Sequence, residues 1–553
     1  MKIVKIFALL AVLMISACQK DYLDRVPLDN IVDETFWNTE QDLILAVNTC
    51  YAFIKNKNTV DIDRMGDNHI NSTASDAYRV IASGNFTYDL ATVNNQWTDQ
   101  YEGIRQCNIF LSNYNRAEAV SVERREALAA EARVVRALLY SYLTFFFGDV
   151  PIVDKPLNIS ELYGPRDPQE KVVDFILNDL DLAAQHLPRE IQTGANLGRV
   201  SKGAALALKA RVALYASRFD VAEKAAQDCM DLGVYALYSN GNPKTSYNEL
   251  FTWAGKLSAG TNKESILVRT YLADVTMHNL SREIQVPDQA SRFNPTKALV
   301  DSYLDTLGYP INHANSVYRE DSYRDIFRNR DPRMTQTILT PGAAWGGRKD
   351  GNPANSNLNI FTAPRFTSGN PGGTVTLTGF YFTKYVHVPT VALVSRDAND
   401  IHLIRYAEVL LTLAEAKLEQ GTLTQADVDR TINVIRDRVG MVHMDLAWLE
   451  ANGLSAREEI RRERRIELAL EGQRWFDIVR WKQGALLAAD VKGMKRSFAT
   501  VPADVANLRV DQQGYILVND GRRFEEPKNY LLPVPMEQYN RNQNLGQNPG
   551  WVN

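Results

Sequence analysis

Apolar residues recur at three- and four-residue steps through most of the chain, and that period predicts a succession of amphipathic helices. Residues 33–55 place Leu43, Val47, Phe53 and Ile54 on one side. Over 95–114, Trp97, Tyr101, Ile104 and Asn108 share a face. Over 122–147, Ala129, Ala132, Arg133, Arg136, Ala137, Tyr140 and Leu143 line another, which Gly148 and Pro151 stop. A further helix is predicted over 168–187, ended by Pro188. A pair follows over 201–233, where Leu206, Ala210 and Ala213 face Ala222, Ala226 and Cys229 across a turn near Arg218. Small residues at those steps let antiparallel helices approach closely, the packing of tetratricopeptide-type units. A second pair is predicted at 403–440, with Tyr406, Leu410, Leu413, Ala414 and Lys417 on successive turns.

Between these helices the texture changes. Residues 61–90 lose the helical period and gather Asn, Ser, Thr, Asp and Gly, which predicts loop. Residues 237–400 are dense in Gly, Pro, Asn and Thr, with strand-like pieces at 264–269 and 374–388. The predicted fold is therefore mostly α: a helical-hairpin, tetratricopeptide-like scaffold holding one loop-rich insertion, 237–400, with short β-strands. A plain solenoid does not fit, because the units are neither consecutive nor evenly spaced. Near the C-terminus, Pro533 and Pro535 forbid a helix and force an extended segment.

The densest pattern is 457–484. Leu468, Gly472, Trp475, Phe476 and Val479 form an apolar stripe that predicts one helix with a buried face. The other face mixes Arg461, Arg462, Arg464 and Arg465 with Glu458, Glu459, Glu463, Glu467 and Glu471, so Glu458 can pair with Arg462 one turn on. A face so evenly neutralised is expected to be solvated. It offers no unopposed cations for phosphates, and a net charge of −4 with a pI near 6.1 likewise argues against a nucleic-acid partner. With 45% hydrophobic and 23% charged residues, the 553-residue chain is globular and long enough for a large core.

The N-terminus adds an address. Lys2 and Lys5 precede the apolar run 6–15, which is too short to span a bilayer, and Ile15-Ser16-Ala17 leads into Cys18. This predicts a lipoprotein signal peptide, residues 1–17, with lipidation of Cys18, so that 18–553 is anchored to a membrane without spanning it. Cys50, Cys107 and Cys229 are scattered and lack CxxC spacing. Buried thiols are expected, with neither a disulfide framework nor a zinc site.

Glu463-Arg464-Arg465, Glu467-Leu468, Glu471-Gly472, Arg474, Asp477 and Arg480-Trp481 resemble the signature helix of the SusD/RagB family of outer-membrane nutrient-binding lipoproteins. Residues 132–153, Asn294-Pro295-Thr296, Leu299-Val300-Asp301 and Arg330-Asp331-Pro332-Arg333 are similar to other family landmarks. So is the C-terminal stretch with Asn542, Asn544, Gln547-Asn548 and Pro549-Gly550-Trp551. The resemblance implies a SusD-like fold over 18–553, located at the outer membrane and facing the cell exterior. It also implies a SusC-like TonB-dependent transporter as partner and capture of oligosaccharide, or of peptide as in some members.

Catalytic chemistry finds little footing. His69, His186, His278, His313, His387, His402 and His443 are isolated, and neither HExxH nor GxSxG occurs. No metal, cofactor or enzymatic activity is expected. A glycoside hydrolase, which needs only two carboxylates, is the enzymatic alternative, and a purely structural scaffold is another. A non-catalytic sugar site needs exposed aromatic faces flanked by hydrogen-bonding side chains on loops. Two loop regions offer these: Asp67, Asn68, Tyr78 and Arg79 in one, and Tyr271, Trp345, Arg348 and Phe361 in the other. That reading asks for exposed rings at Trp345 and Tyr271. Trp97, Trp475, Trp481 and the run Tyr140, Phe145, Phe146, Phe147 are expected in the core.

Overall fold

A computed structural model describes residues 36–286, 289–346, 359–367 and 374–551. The expected signal peptide, the expected lipidation site Cys18 and Arg348 lie outside those residues.

The helices α1 (Glu40–Tyr51), α2 (Ala91–Asn113), α3 (Val122–Phe147), α4 (Gln169–His186), α5 (Lys202–Tyr215), α6 (Phe219–Asp231) and α7 (Tyr406–Glu419) form close to where the apolar period placed them. Further along come α8 (Ala456–Glu467), α9 (Arg474–Arg480) and α10 (Met536–Arg541), the last starting directly after Pro535 where the apolar period predicted no helix. Local chemistry sets their ends. Thr39 and Asp42 form a reciprocal capping box on α1, Ser121 caps α3, and Gly148 ends α3 at φ 73°. From α2 to α6 each helix packs on the next, and α7 then closes on α6 and α5. In the α5–α6 pair, an added Cβ on Gly203 would overlap Tyr235, and the Cys229 thiol lies 3.8 Å from the Gly203 carbonyl oxygen. Cys50, Cys107 and Cys229 are buried and free. Among the described residues no helix is long and apolar enough to cross a membrane.

Two strands, β1 (Ser265–Arg269) and β2 (Ile401–Arg405), pair antiparallel with Arg269 opposite Ile401, and β2 runs directly into α7. A second pair, β3 (Val491–Lys495) and β4 (Tyr515–Asn519), sits beyond α9. The strand expected over 374–388 is not formed. That stretch makes only single bridges, such as Phe382 with Ile338, and its rings at Phe380, Tyr381, Phe382 and Tyr385 fill a second core instead.

The loop expected over 61–90 is also different. It begins in the short helix Asn58–Ile62, pairs His69–Ile70 with Asn294–Pro295 and includes the helix Ala77–Ala82. Asp61, Asp63, Arg64, Asp67 and Asn68 are buried: Arg64 pairs with Asp61 and Asp76 within the segment, while Asp63, Asp67 and Asn68 are met by Arg465 and Arg474 from far along the chain.

The stripe of 457–484 is two helices, not one. Between α8 and α9 the backbone turns at Leu470 (φ 66°) and Gly472 (φ 76°). Much of the charged face expected in water is inside the protein: Glu459, Glu463, Arg464, Glu467 and Glu471 are buried, and Glu458 is the member left exposed. Arg333 meets Asp331 at 2.7 Å and Glu463 at 2.5 Å, Arg405 meets Glu264, Glu467 and Glu471 each at 2.7 Å, and Arg438 meets Glu467 at 2.6 Å. Lys384 and Arg436 close the network on Glu471 and Glu463 at 2.6 and 2.8 Å. Buried ions are tolerated only when paired this fully. The network ties β2, the insertion and α8 into one body. Burial alone would raise the pKa of Glu467, and Arg438, Arg405 and Arg333 reverse that, holding it well below the usual carboxylate range.

Asp63 behaves oppositely. Burial pushes it up to about 7, only partly offset by backbone N–H groups of Arg474 and Leu470. A raised carboxyl holds its proton more tightly when folded. Its contribution is therefore complete below the unfolded pKa near 4 and is lost as pH rises through about 7. Glu467 and Asp67, both depressed, contribute above the unfolded carboxylate pKa and lose that contribution as pH falls. Asp63→Asn is expected to raise the unfolding temperature at pH 8 and to change it little near pH 4. Equal shifts at both pH values, read by calorimetry, would contradict this assignment.

Candidate functional site

The expected ligand residues divide into structural and half-exposed groups. Asp67 pairs with Arg474 at 2.7 Å and Arg465 at 3.0 Å, and the Asn68 side-chain oxygen accepts from Arg465 at 2.8 Å. Both are buried, pinning α8 and α9 to the segment before α2. Tyr78 and Arg79 sit side by side on the short helix Ala77–Ala82, half-buried. Gln96 donates to the Tyr78 hydroxyl at 3.1 Å, and Arg79 donates to the Asn71 carbonyl at 2.8 Å.

The exposed rings expected in the insertion are a correction. Trp345 is only 5% exposed and packs on Phe361 at 5.3 Å and Tyr381 at 5.5 Å, and Phe361 is fully buried. Tyr271 is buried edge-on to His278 at 4.5 Å, its hydroxyl accepting from the Lys57 amide. An insertion of this length needs its own core, and these rings supply it. Trp97 and Trp475 are buried as expected, and Trp481 is half-buried with its indole N–H on Glu415 at 2.7 Å.

A cleft of about 910 Å³ opens elsewhere, between α2, the connector after α3, and α10. One face of α2 delivers Trp97, Tyr101 and Arg105 at four-residue spacing, with Glu102 beside them. The connector cannot continue α3 past Gly148 and Pro151, so it swings across the mouth. The Tyr101 hydroxyl donates to the Pro151 carbonyl at 2.8 Å, and the Ile152 amide donates to Asp167 at 2.9 Å. Asn542 and Asn544 donate to the Gly164 and Tyr163 carbonyls at 2.8 Å, and Arg166 donates to the Asn548 side chain at 2.7 Å. Thus held, Tyr163 is 56% exposed in the rim, facing a floor that includes Ile152, Val153 and Leu545. Glu102, Arg105, Gln538 and Asn542 supply polar groups.

This combination of one exposed ring, Tyr163, a half-buried ring, Tyr101, an apolar floor and convergent hydrogen-bonding groups suits a sugar chain: C–H faces stack, hydroxyls bond. Three carboxylates, Glu102, Glu161 and Asp167, also line the cleft. Glu161, on the rim, is lowered by its hydrogen bonds with Lys155 and the Asn158 amide. Among the described residues no group of three or more His, Cys, Asp or Glu could hold a metal ion. The cleft was missed in the sequence because Tyr101 read as part of a core stripe. The available signal was the Pro-, Asn- and Gly-rich run 155–165 with Tyr163 inside it.

Residues 21–214 match a family described as starch-binding and associating with the outer membrane, and residues 266–551 match the SusD family. A SusD-like protein of Formosa agariphila is 25% identical over 570 residues, covering 100% of both chains. A SusD-like carbohydrate-binding protein of Bacteroides fragilis, of known structure, is 29% identical, with a TM-score of 0.77 over 92% of this chain and 100% of that one. A surface glycan-binding protein A of Bacteroides fluxus shares the fold at 20% identity and a TM-score of 0.66, over 93% of this chain and 100% of that one. More than half of the sequence matches one family from β1 to Trp551, and the chain belongs to the SusD family.

Proposed function

We propose that the protein is a cell-surface lipoprotein, anchored through Cys18, that binds oligosaccharide without cleaving it and hands it to a SusC-like TonB-dependent transporter in the outer membrane. The observation that carries the binding step is the cleft: Tyr101 and Tyr163 are presented with Glu102, Arg105 and Asn542 around a space large enough for several sugar units. The carbohydrate-binding and glycan-binding relatives support the same ligand class. The pinned connector gives the site rigidity, and rigidity lowers the entropy lost on binding.

Tyr163→Ala is expected to weaken oligosaccharide binding about tenfold, the worth of one stacked ring. Because Tyr163 is largely exposed, thermal unfolding should stay unchanged. Titration calorimetry of residues 19–553 against plant, host and microbial oligosaccharides and mixed peptides tests the reading, with reducing-sugar release followed in parallel. Binding of peptides alone would move the function to peptide uptake. Release of sugar would contradict the non-catalytic role.

A further inference from the structure

A second cavity, of about 370 Å³, shares no lining residue with the cleft. Its walls are rings: Phe145 of α3, Tyr215 at the end of α5, Phe476 of α9 and Tyr530 of the C-terminal segment. Phe145 meets Tyr215 edge-on at 5.2 Å, and Phe476 lies 6.0 Å from Tyr215. Every charged residue lining the cavity is a cation, and no carboxylate lines it. Two of the three are already engaged: Arg480 with Glu415 at 2.6 Å and Asp477 at 2.9 Å, and Lys528 with Glu525 at 3.2 Å. Lys482 has no carboxylate partner among the described residues. Its ammonium lies 4.2 Å from the centre of the Tyr530 ring.

The position of Lys482 follows from its backbone. It ends α9 in the left-handed region at φ 55°, its amide donating to the Val479 carbonyl at 3.1 Å, and this turn folds the chain back beside the C-terminal segment. Lys482 is exposed, so water solvates the ammonium where the Tyr530 ring does not, and a bound carboxylate would replace that water with a charge-assisted hydrogen bond. The volume suits one ring, and aromatic walls favour a flat or apolar ring face.

We propose that this cavity binds a single six-membered ring carrying a carboxylate, the ring lying among Phe145, Tyr215 and Phe476 and the carboxylate on Lys482. Such a ring has two chemical sources, an aromatic acid or the uronic acid residue of an acidic glycan. Neither depends on the cleft being the oligosaccharide site.

Ligand-observed NMR and calorimetry with 4-hydroxycinnamate and galacturonate, beside benzyl alcohol and galactose as neutral controls, separate the sources. At least one acid is expected to bind more tightly than its neutral control. Binding of 4-hydroxycinnamate alone would assign aromatic acids, and binding of galacturonate alone would assign acidic glycans. Lys482→Gln, at an exposed position, should weaken the acid about tenfold. Ala216→Leu, which extends a side chain into the cavity, should abolish binding with an unchanged melting curve. Tyr163→Ala should leave it unaffected. Absence of binding by both acids at about 10 mM, equal binding of acids and neutral controls, or acid binding that survives both cavity variants would overturn the proposal.

Discussion

Arg405→Ala is expected to cost about 3–5 kcal/mol of stability, because it strands carboxylates that water cannot reach. Arg405 is fully buried, and its guanidinium spans three acids, Glu264, Glu467 and Glu471, each at 2.7 Å. Alanine would leave Glu467 with Arg438 and a longer contact to Arg333 at 3.2 Å, and Glu471 with Lys384 alone. Arg405→Lys keeps the charge and loses the fork, so it should fall between wild type and alanine. Urea denaturation checks the order. An alanine variant with the wild-type midpoint would mean that the network contributes nothing net.

Gly472→Ala should be the second large loss. Gly472 turns the chain between α8 and α9 at φ 76°, and a Cβ there would overlap the Thr59 carbonyl oxygen. The left-handed backbone costs alanine about 1–2 kcal/mol, and displacing packed backbone adds roughly 1–3 more. Gly421 is the matched control, at φ 70° with nothing within 4 Å of its Cβ. Gly421→Ala should lose only the conformational part. Equal losses for the two variants in urea denaturation would show that Thr59 yields freely.

These two sites also mark what the sequence could convey. The helices α2 to α6 were legible because their instructions are local: a three- to four-residue apolar period, Ser121 at one end of α3, Gly148 at the other. The break at Gly472 was not, since one glycine within an apolar stripe is compatible with a continuing helix. Nor was the burial of the charged face. Glu467 needs Arg333, Arg405 and Arg438, and none of them lies close to it along the chain. Read alone, alternating Arg and Glu look like a surface. Read with their partners, they are the joint between scaffold and insertion.

The candidate site was less legible than the fold for a related reason. Trp345, Phe361 and Tyr271 were expected as stacking platforms because they lie in a loop-rich segment, yet such a segment makes its own core from the rings it has. The rings of 374–388 pointed the same way, signalling a core more than a strand. The cleft depends on three segments distant in sequence: α2, the connector carrying Tyr163, and the C-terminal asparagines that hold it. The C-terminal likeness to the family was visible, and its physical role, bracing the connector through Asn542, Asn544 and Asn548, required the fold.

The central claim is that the cleft holds an oligosaccharide intact. A crystal structure of residues 19–553 with a bound oligosaccharide identified by calorimetry tests it most directly. The account predicts an unbroken sugar chain between Tyr101 and Tyr163, with hydroxyls on Glu102, Arg105 or Asn542. Sugar bound only at another face, or found cleaved, would contradict it.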